Sequence, residues 1–349
     1  MEVVVGLSLR NLKPRVWDPA SPYYLPQVRA VMVSYADFAQ QPARRRKAMQ
    51  AGLHAYLGVP EGVRVYLDNG SFAFHRRSED VDREGYLTFV EEAQPDWYPP
   101  PRDYIPAPAM SVQKQTAQRM KTMAENTAYS YDGFVPVVHV GRYLDRYIND
   151  LLQDPALSAK SHVAIGGIVP NLLRAPKALP YRAILDALHA ARRVLDDKAL
   201  HLFGVGGTAT LHLAVLLGMD SVDSSGWRNR AARGIVQLPG RGDRLITQLG
   251  SWRGRVPDEE EWAMLEACPC PACAQFGLAG LQERGLAGFC KRATHNLWTL
   301  LEEAAAIEKH LKEGPATYEA WYKGHVRNST YEPLIAYTLA LRQAHSTGR

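Results

Sequence analysis

Three cysteines crowd into six residues of the segment ACPCPACAQF: Cys268, Cys270 and Cys273. Thiols this close, separated by proline and alanine, point toward a common centre. Zinc takes four thiolate or imidazole ligands in a closed structural site. Two residues compete for the fourth place, His295 near the start of a helical pattern and Cys290. A disulfide across C-x-C would close too small a ring, and a redox C-x-x-C would leave Cys268 unexplained. A full set of four ligands points to structure, not catalysis.

A second set of reactive residues is scattered along the chain but shares one kind of position. Asp68, Asp103, His139, Gly166 and Gly167, Gly204 and Gly206, and Asp223 each fall at or just past the end of an expected strand. The stretch HLFGVGGTATLHLAVLLGMDSVDSSGWRNRAARG (201–234) has two readings. Gly204-x-Gly206-x-x-Ala209 has the spacing of a dinucleotide-binding turn. Alternatively, two strands flank a helix and the second ends in Asp223, ahead of an arginine-rich loop. The dinucleotide reading leaves Asp68 and the arginines without a role. Between Arg228 and Arg255 there are seven arginines and one acid, Asp243. Guanidinium forks suit phosphate oxygens, which makes Arg228, Arg230 and Arg233 candidates for holding a nucleic-acid backbone.

These residues need a scaffold, and the chain supplies a repeating one. Apolar strands (VRVYLDNG at 63–70, FVPVVHVG at 134–141, HVAIGGIVP at 162–170) alternate with amphipathic helical patterns such as YRAILDALHAARRVLDD at 181–197. That alternation implies a parallel sheet covered on its faces. Polar or glycine residues at six strand ends favour closure into a (β/α)8 TIM barrel, where all those ends meet on one face. The proline-rich run at 94–110 reads as an irregular strand and a loop over the mouth. The expected division is a barrel core over 1–255, a zinc-binding subdomain and closing helix over 256–312, and a helical extension over 313–349.

Bulk properties narrow the class. The 349 residues carry a net charge of +5, with 46% hydrophobic and 22% charged residues, the balance of a globular protein. No apolar run approaches the ~18 residues of a membrane span, and the N-terminus has no signal-peptide pattern. A cytoplasmic location is expected, with no membrane partner.

Taken together, these motifs resemble the tRNA-guanine transglycosylase superfamily. C-x-C-x-x-C followed by THNL at 294–297 is similar to that family's zinc site, which selects His295 as the fourth ligand. YLDNGSF (66–72) resembles its D-S-G-G-F/Y segment, placing Asp68 as the general acid and base and Phe72 as the aromatic that stacks on the base. HLFG-x-G followed by G-x-D-x-x-D-S resembles the archaeal form and puts Asp223, not Asp220, at the nucleophile. The resemblance also implies that Asp103 recognises the base and that His139, Gly166 and Gly167 bond its carbonyl edge. Val222 and His139 depart from the family, which usually has an aromatic and a glutamine there, and the chain leaves no room for the archaeal RNA-binding domains. Those departures favour the branch that inserts 7-cyano-7-deazaguanine into DNA. The implied activity is exchange of guanine for a 7-deazaguanine base through a covalent Asp–sugar intermediate, with DNA favoured and tRNA as the alternative polymer. A non-catalytic nucleic-acid-binding subunit is the remaining reading. Structural zinc is the implied cofactor, and a second copy or other proteins of a modification system are the implied partners.

Overall fold

The computed structural model describes residues 1–77, 81–106, 110–129, 132–169, 172, 181–326 and 329–346. Seven strands form one sheet: β1 (Glu2–Gly6), β2 (Ala30–Ser34), β3 (Arg64–Asp68), β4 (Val137–His139), β5 (His162–Gly166), β6 (Ala199–Leu202) and β7 (Ser221–Ser224). Their spatial order is β3-β2-β1-β7-β6-β5-β4, and each neighbouring pair is parallel. Parallel neighbours need a crossover between them, and helices supply it. The strands are apolar on both faces because both faces are covered.

The sheet is curled, and its edge strands are linked through the proline-rich region. Leu67 N–H donates to the Trp97 carbonyl and Asp96 N–H to the Val65 carbonyl, each at 2.9 Å. On the other side Tyr98 N–H donates to Gly133 at 3.0 Å and Val135 N–H to Tyr98 at 2.9 Å. The irregular strand expected near residue 94 is therefore real, and it runs between β3 and the approach to β4. Val4, Ala30, Met32, Tyr66, Trp97, Val137 and Ala164, with Phe203 against them, pack together as the inner core.

Outside the strands, helical periodicity does the covering. In the helix Leu144–Gln153, residues Leu144, Tyr147, Ile148 and Leu151 are buried, and in Tyr181–Val194 it is Ile184, Leu185, Leu188 and Ala191. The helix Thr208–Leu216 is buried at every residue, in keeping with its largely apolar sequence TATLHLAVL, whose polar members include His212. The helices Gly285–Glu313, Pro315–His325 and Glu332–Ser346 lie beyond it. Leu297, Leu300, Ile307, Tyr318, Tyr322, Ile335 and Leu339 join the same core as the outer faces of the strands.

The stretch expected to be an arginine-rich loop is mostly ordered structure. The helix Gly226–Ala232 leads into an antiparallel hairpin, β8 (Ile235–Leu238) and β9 (Gly242–Leu245). Val236, Leu238 and Ile246 pack with Leu265, Cys270, Cys273 and Leu281 in a small separate core. Among the described residues no helix is long and apolar enough to cross a membrane.

Candidate active site

Asp223 is the third residue of β7 and pairs in register with Val4 of β1. Its Oδ1 accepts a hydrogen bond from the Gly204 N–H at 2.8 Å. Gly204 has φ 80°, a conformation that L side chains rarely adopt and glycine adopts freely. At Gly206 an added Cβ would lie 1.7 Å from Ser224 Oγ. The two glycines thus let the loop after β6 fold closely over the end of β7. Their spacing serves a carboxylate, not a dinucleotide.

A residue not singled out in the sequence also meets Asp223. His201, on β6, is 2% exposed. Its Nδ1 lies 2.9 Å from Ser221 Oγ, and its Nε2 is 3.5 Å from Asp223 Oδ1. That Nε2 is buried with no hydrogen-bond partner. In HLFG the histidine hides within an apolar strand, where no pattern marks it.

Asp68 ends β3. Its Oδ2 accepts from Ser34 Oγ at 2.9 Å and from the Gly70 N–H at 3.0 Å. Burial, with the neighbouring Asp223 and Asp103 carboxylates adding to it, pushes Asp68 up to about 7 against the hydrogen bonds from Ser34 and Gly70. A carboxyl held near neutrality can carry a proton to a reacting group and take it back. Asp68 and Asp223 stand at the ends of parallel strands of the same sheet, and Asn69, next to Asp68, ties in Asp103, so carboxylates from three distant parts of the chain lie at one end of the sheet.

Asp103 follows the link between β3 and β4. Asn69 Nδ2 donates to its Oδ1 at 2.8 Å, and its own N–H donates to Ser71 Oγ at 3.1 Å. His139 Nε2 lies 3.0 Å from its Oδ2. Burial works to raise this carboxyl, but His139, Asn69 and Ser71 outweigh it and hold Asp103 below the usual range. His139 is 1% exposed and sits against Gly166, its register partner on β5. A Cβ at Gly166 would approach His139 Nδ1 to 2.7 Å. His139 was expected to bond the base directly; the structure packs it against Asp103 and Gly166 instead. Gly167, next in the chain, has φ 82°. Phe72, in the helix Ser71–Arg77 that follows Asp68, leaves 52% of its surface exposed.

The arginines divide. Arg228 is buried at 6% exposure, gives hydrogen bonds to the carbonyls of Asn11 and Lys13, and lies over the rings of Trp227 and Phe289. Its expected contact with phosphate is corrected: the guanidinium ties the N-terminal segment to the sheet. Arg230 pairs with Asp243 at 2.7 Å and also donates to the Gly206 carbonyl at 3.1 Å. Arg233 is exposed and stacks on Trp252 at 4.3 Å. Arg241, Arg244 and Arg255 meet Glu260, Glu261 and Asp258, so much of the positive charge is neutralised from the helix Glu259–Glu266 and its cap.

The cysteine motif converges as expected. Cys268 Sγ, Cys270 Sγ and Cys273 Sγ lie 3.5, 3.8 and 3.4 Å from His295 Nδ1, and all four donor atoms fall within 4.8 Å of one another. Sulfur and nitrogen ligands around a tetrahedral zinc stand about 3.5 Å apart, so the cluster has the dimensions of a zinc site. His295 Nε2 is 2.9 Å from the Gln237 carbonyl, the outer hydrogen bond that fixes a metal-binding imidazole. Cys290 lies outside the cluster. Neighbouring Asn296 is fully buried and donates to the carbonyls of Trp227 and Ile235 at 3.1 Å, while its Oδ1 accepts from Gln237 N–H at 2.7 Å. THNL therefore joins the cysteine–histidine cluster to β8.

Comparison with known families bears on what this arrangement is. The model of the family described as queuine tRNA-ribosyltransferase matches residues 36–330. The chain belongs to that family. Among its relatives, the tRNA-guanine(15) transglycosylase of Pyrococcus abyssi is 28% identical over 284 residues, 77% of this chain and 43% of that protein. The enzyme of the same name from Thermococcus onnurineus is 27% identical over 303 residues, 84% of this chain and 47% of that protein. The queuine tRNA-ribosyltransferase of Protochlamydia amoebophila is 27% identical over 194 residues, 49% of this chain and 48% of that protein. The chain thus spans less than half the length of these curated relatives. Family membership bears out the transglycosylase resemblance read from the motifs; the DNA-modifying branch receives no separate support from it.

Proposed function

We propose that this protein is a guanine transglycosylase that exchanges a purine base in a polynucleotide for a 7-deazaguanine. The observation that carries the reading is the meeting of Asp68, Asp103 and Asp223 at one end of the sheet, close enough for Asp68 to feel both other charges. In this reading residues 1–255 form a (β/α)8 barrel with Asp96–Tyr98 as its short fourth strand, followed by the zinc-binding subdomain (256–312) and the helical extension (313–349).

The chemistry follows from the placement of the three acids. The Asp223 carboxylate attacks C1′ of the target sugar as the C1′–N9 bond breaks, forming a sugar–enzyme ester. Asp68 gives its proton to the departing guanine, then removes one from the incoming base, which attacks C1′ and frees Asp223. Gly204 holds one oxygen of Asp223, leaving the other for the sugar. Asp103 accepts hydrogen bonds from the N1–H and exocyclic amine of a guanine-type ring. His139 keeps Asp103 charged and oriented. Phe72 stacks on the ring, and the Gly166–Gly167 backbone faces its edge. The target nucleotide must leave its stack to reach these groups. Cys268, Cys270, Cys273 and His295 would hold zinc as a structural ion that fastens the long helix to β8.

The relatives' names support tRNA as the polymer. The departures at Val222 and His139 are what favour DNA among the residues of the site. Arg233, exposed beside Trp252, is the member of the arginine group best placed to meet a phosphate.

The test is incubation with radiolabelled guanine and either bulk tRNA or duplex DNA. Label entering tRNA supports the reading as stated, label entering only DNA reverses the polymer, and label entering neither sinks base exchange. A denaturing gel should show a protein–nucleic acid adduct that Asp223→Asn abolishes.

A further inference from the structure

We propose that His212, Glu303 and His325 form a second metal site, distinct from the cysteine centre and suited to a divalent first-row transition ion such as zinc. The three residues come from separate helices, Thr208–Leu216, Gly285–Glu313 and Pro315–His325. Both imidazoles turn the same nitrogen toward one carboxylate. His212 Nε2 lies 3.0 Å from Glu303 Oε1; His325 Nε2 lies 2.9 Å from that oxygen and 3.0 Å from Oε2. One donor atom from each falls within 4.8 Å of the other two. Nitrogen and oxygen ligands around a tetrahedral zinc stand about 3.3 Å apart, so an ion fits with small outward shifts.

Charge strengthens the case. The Glu303 side chain is 1% exposed, and among the described residues no lysine or arginine pairs with it. A carboxylate taken that far from water costs several kcal/mol unless positive charge meets it. A divalent ion held between the three side chains supplies that charge. Two nitrogens and a carboxylate, with no thiolate, form a donor set suited to zinc, cobalt or nickel.

The surroundings are also built. Tyr318 Oη lies 2.6 Å from His212 Nδ1, on the side of the ring away from Glu303. The Gly240 N–H donates to Glu303 Oε2 at 3.1 Å. These are the outer contacts that orient metal ligands. Trp321 stacks on His325 at 4.4 Å and on His212 at 5.6 Å. A Cβ on Gly240 would come within 2.4 Å of the His325 carbonyl, so the β8–β9 turn is pressed against the site. His325, with 20% of its side chain exposed, gives an ion a way in. An ion here would tie the Pro315–His325 helix to the helix behind β6 and to the long helix. The inference is independent of the base-exchange reading.

The experiment is metal analysis of the full chain, purified from zinc-supplemented cells and dialysed, by inductively coupled plasma mass spectrometry. Two zinc ions per chain are expected. Glu303→Gln, which keeps shape and hydrogen-bonding capacity, and His325→Asn, at the more open edge, should each reduce the count to one. Cobalt titration of the metal-free chain separates the centres, because only the cysteine site gives intense thiolate-to-cobalt absorption in the near ultraviolet. A second bound equivalent that leaves that band unchanged supports the site. One equivalent in the wild type, with the thiolate band saturated, means that the triad is held by hydrogen bonds alone and overturns the proposal. Two equivalents retained in both variants overturns it equally.

Discussion

His201 Nε2 lies 3.5 Å from Asp223 Oδ1, buried and without a hydrogen-bond partner. The opposite nitrogen is anchored by Ser221 on the next strand, so the ring cannot turn away cheaply. In the proposed exchange His201 would act as a positioning residue, packed against the carboxylate. His201→Leu should lower kcat on the order of 10²-fold, as misplaced reacting groups do, with little change in KM for the polynucleotide. His201→Gln should restore part of the loss. Steady-state base exchange measures both; a KM effect alone would assign His201 to binding.

Asp68 makes the reaction sensitive to pH. Its carboxyl is raised from 3.8 to about 7, so below neutrality it holds the proton that the leaving base would need in the proposed exchange. Exchange should decline as pH rises through about 7, and Asp68→Asn should remove both that limb and most of the rate. Stability has the same sign. The folded state binds more protons than the unfolded one between about pH 4 and 7, so this group's stabilising contribution falls as pH rises. Denaturant melts at several pH values should show that slope in the wild type and its loss in Asp68→Asn.

Gly166 makes room for His139. In Gly166→Ala the added methyl would push the ring away from Asp103, with the rest of the sheet left in place. The expected outcome is a higher KM for the free base with a smaller change in KM for the polynucleotide. An unchanged KM for the base would sever His139 and Asp103 from base recognition.

Asn296 satisfies one N–H and two carbonyls inside the protein. Asn296→Leu removes all three hydrogen bonds, and each buried group left unsatisfied costs about 1–3 kcal/mol. Urea unfolding of the zinc-loaded protein should register that loss.

Arg228 and Arg233 should separate cleanly. Arg228→Ala should destabilise the fold and leave the salt dependence of nucleic-acid binding intact. Arg233→Ala should weaken binding uniformly across sequences and reduce the salt slope by about one, with stability unchanged.

The parts of this protein that could be read from the chain are those where local pattern and final position agree. Asp68 and Asp223 stand out because a carboxylate ending an apolar run has no packing reason to be there. The cysteine motif is legible because its spacing is itself the constraint. His201 is the opposite case: it lies inside a strand, and its meaning comes from Asp223 across a sheet ladder. The arginine run misleads because charge in a sequence carries no sign of what will neutralise it. Glu260 and Glu261 lie just past its end, and Arg228 finds its carbonyls more than two hundred positions away. The β8–β9 hairpin is not legible in the sequence because its four-residue strands pack with the cysteine cluster and not with the main sheet.

The link formed by Asp96–Tyr98 has a bearing on motion. It is held by two backbone hydrogen bonds to β3 and two toward β4, fewer than the longer ladder between β2 and β3 provides. The seam is therefore a lightly held part of the curled sheet, and Asp103 follows it a few residues on. Hydrogen exchange should be faster at Tyr98 and Val135 than at Val31. If the proposed exchange holds, a weakly stitched segment lies beside the residue that would recognise the incoming base.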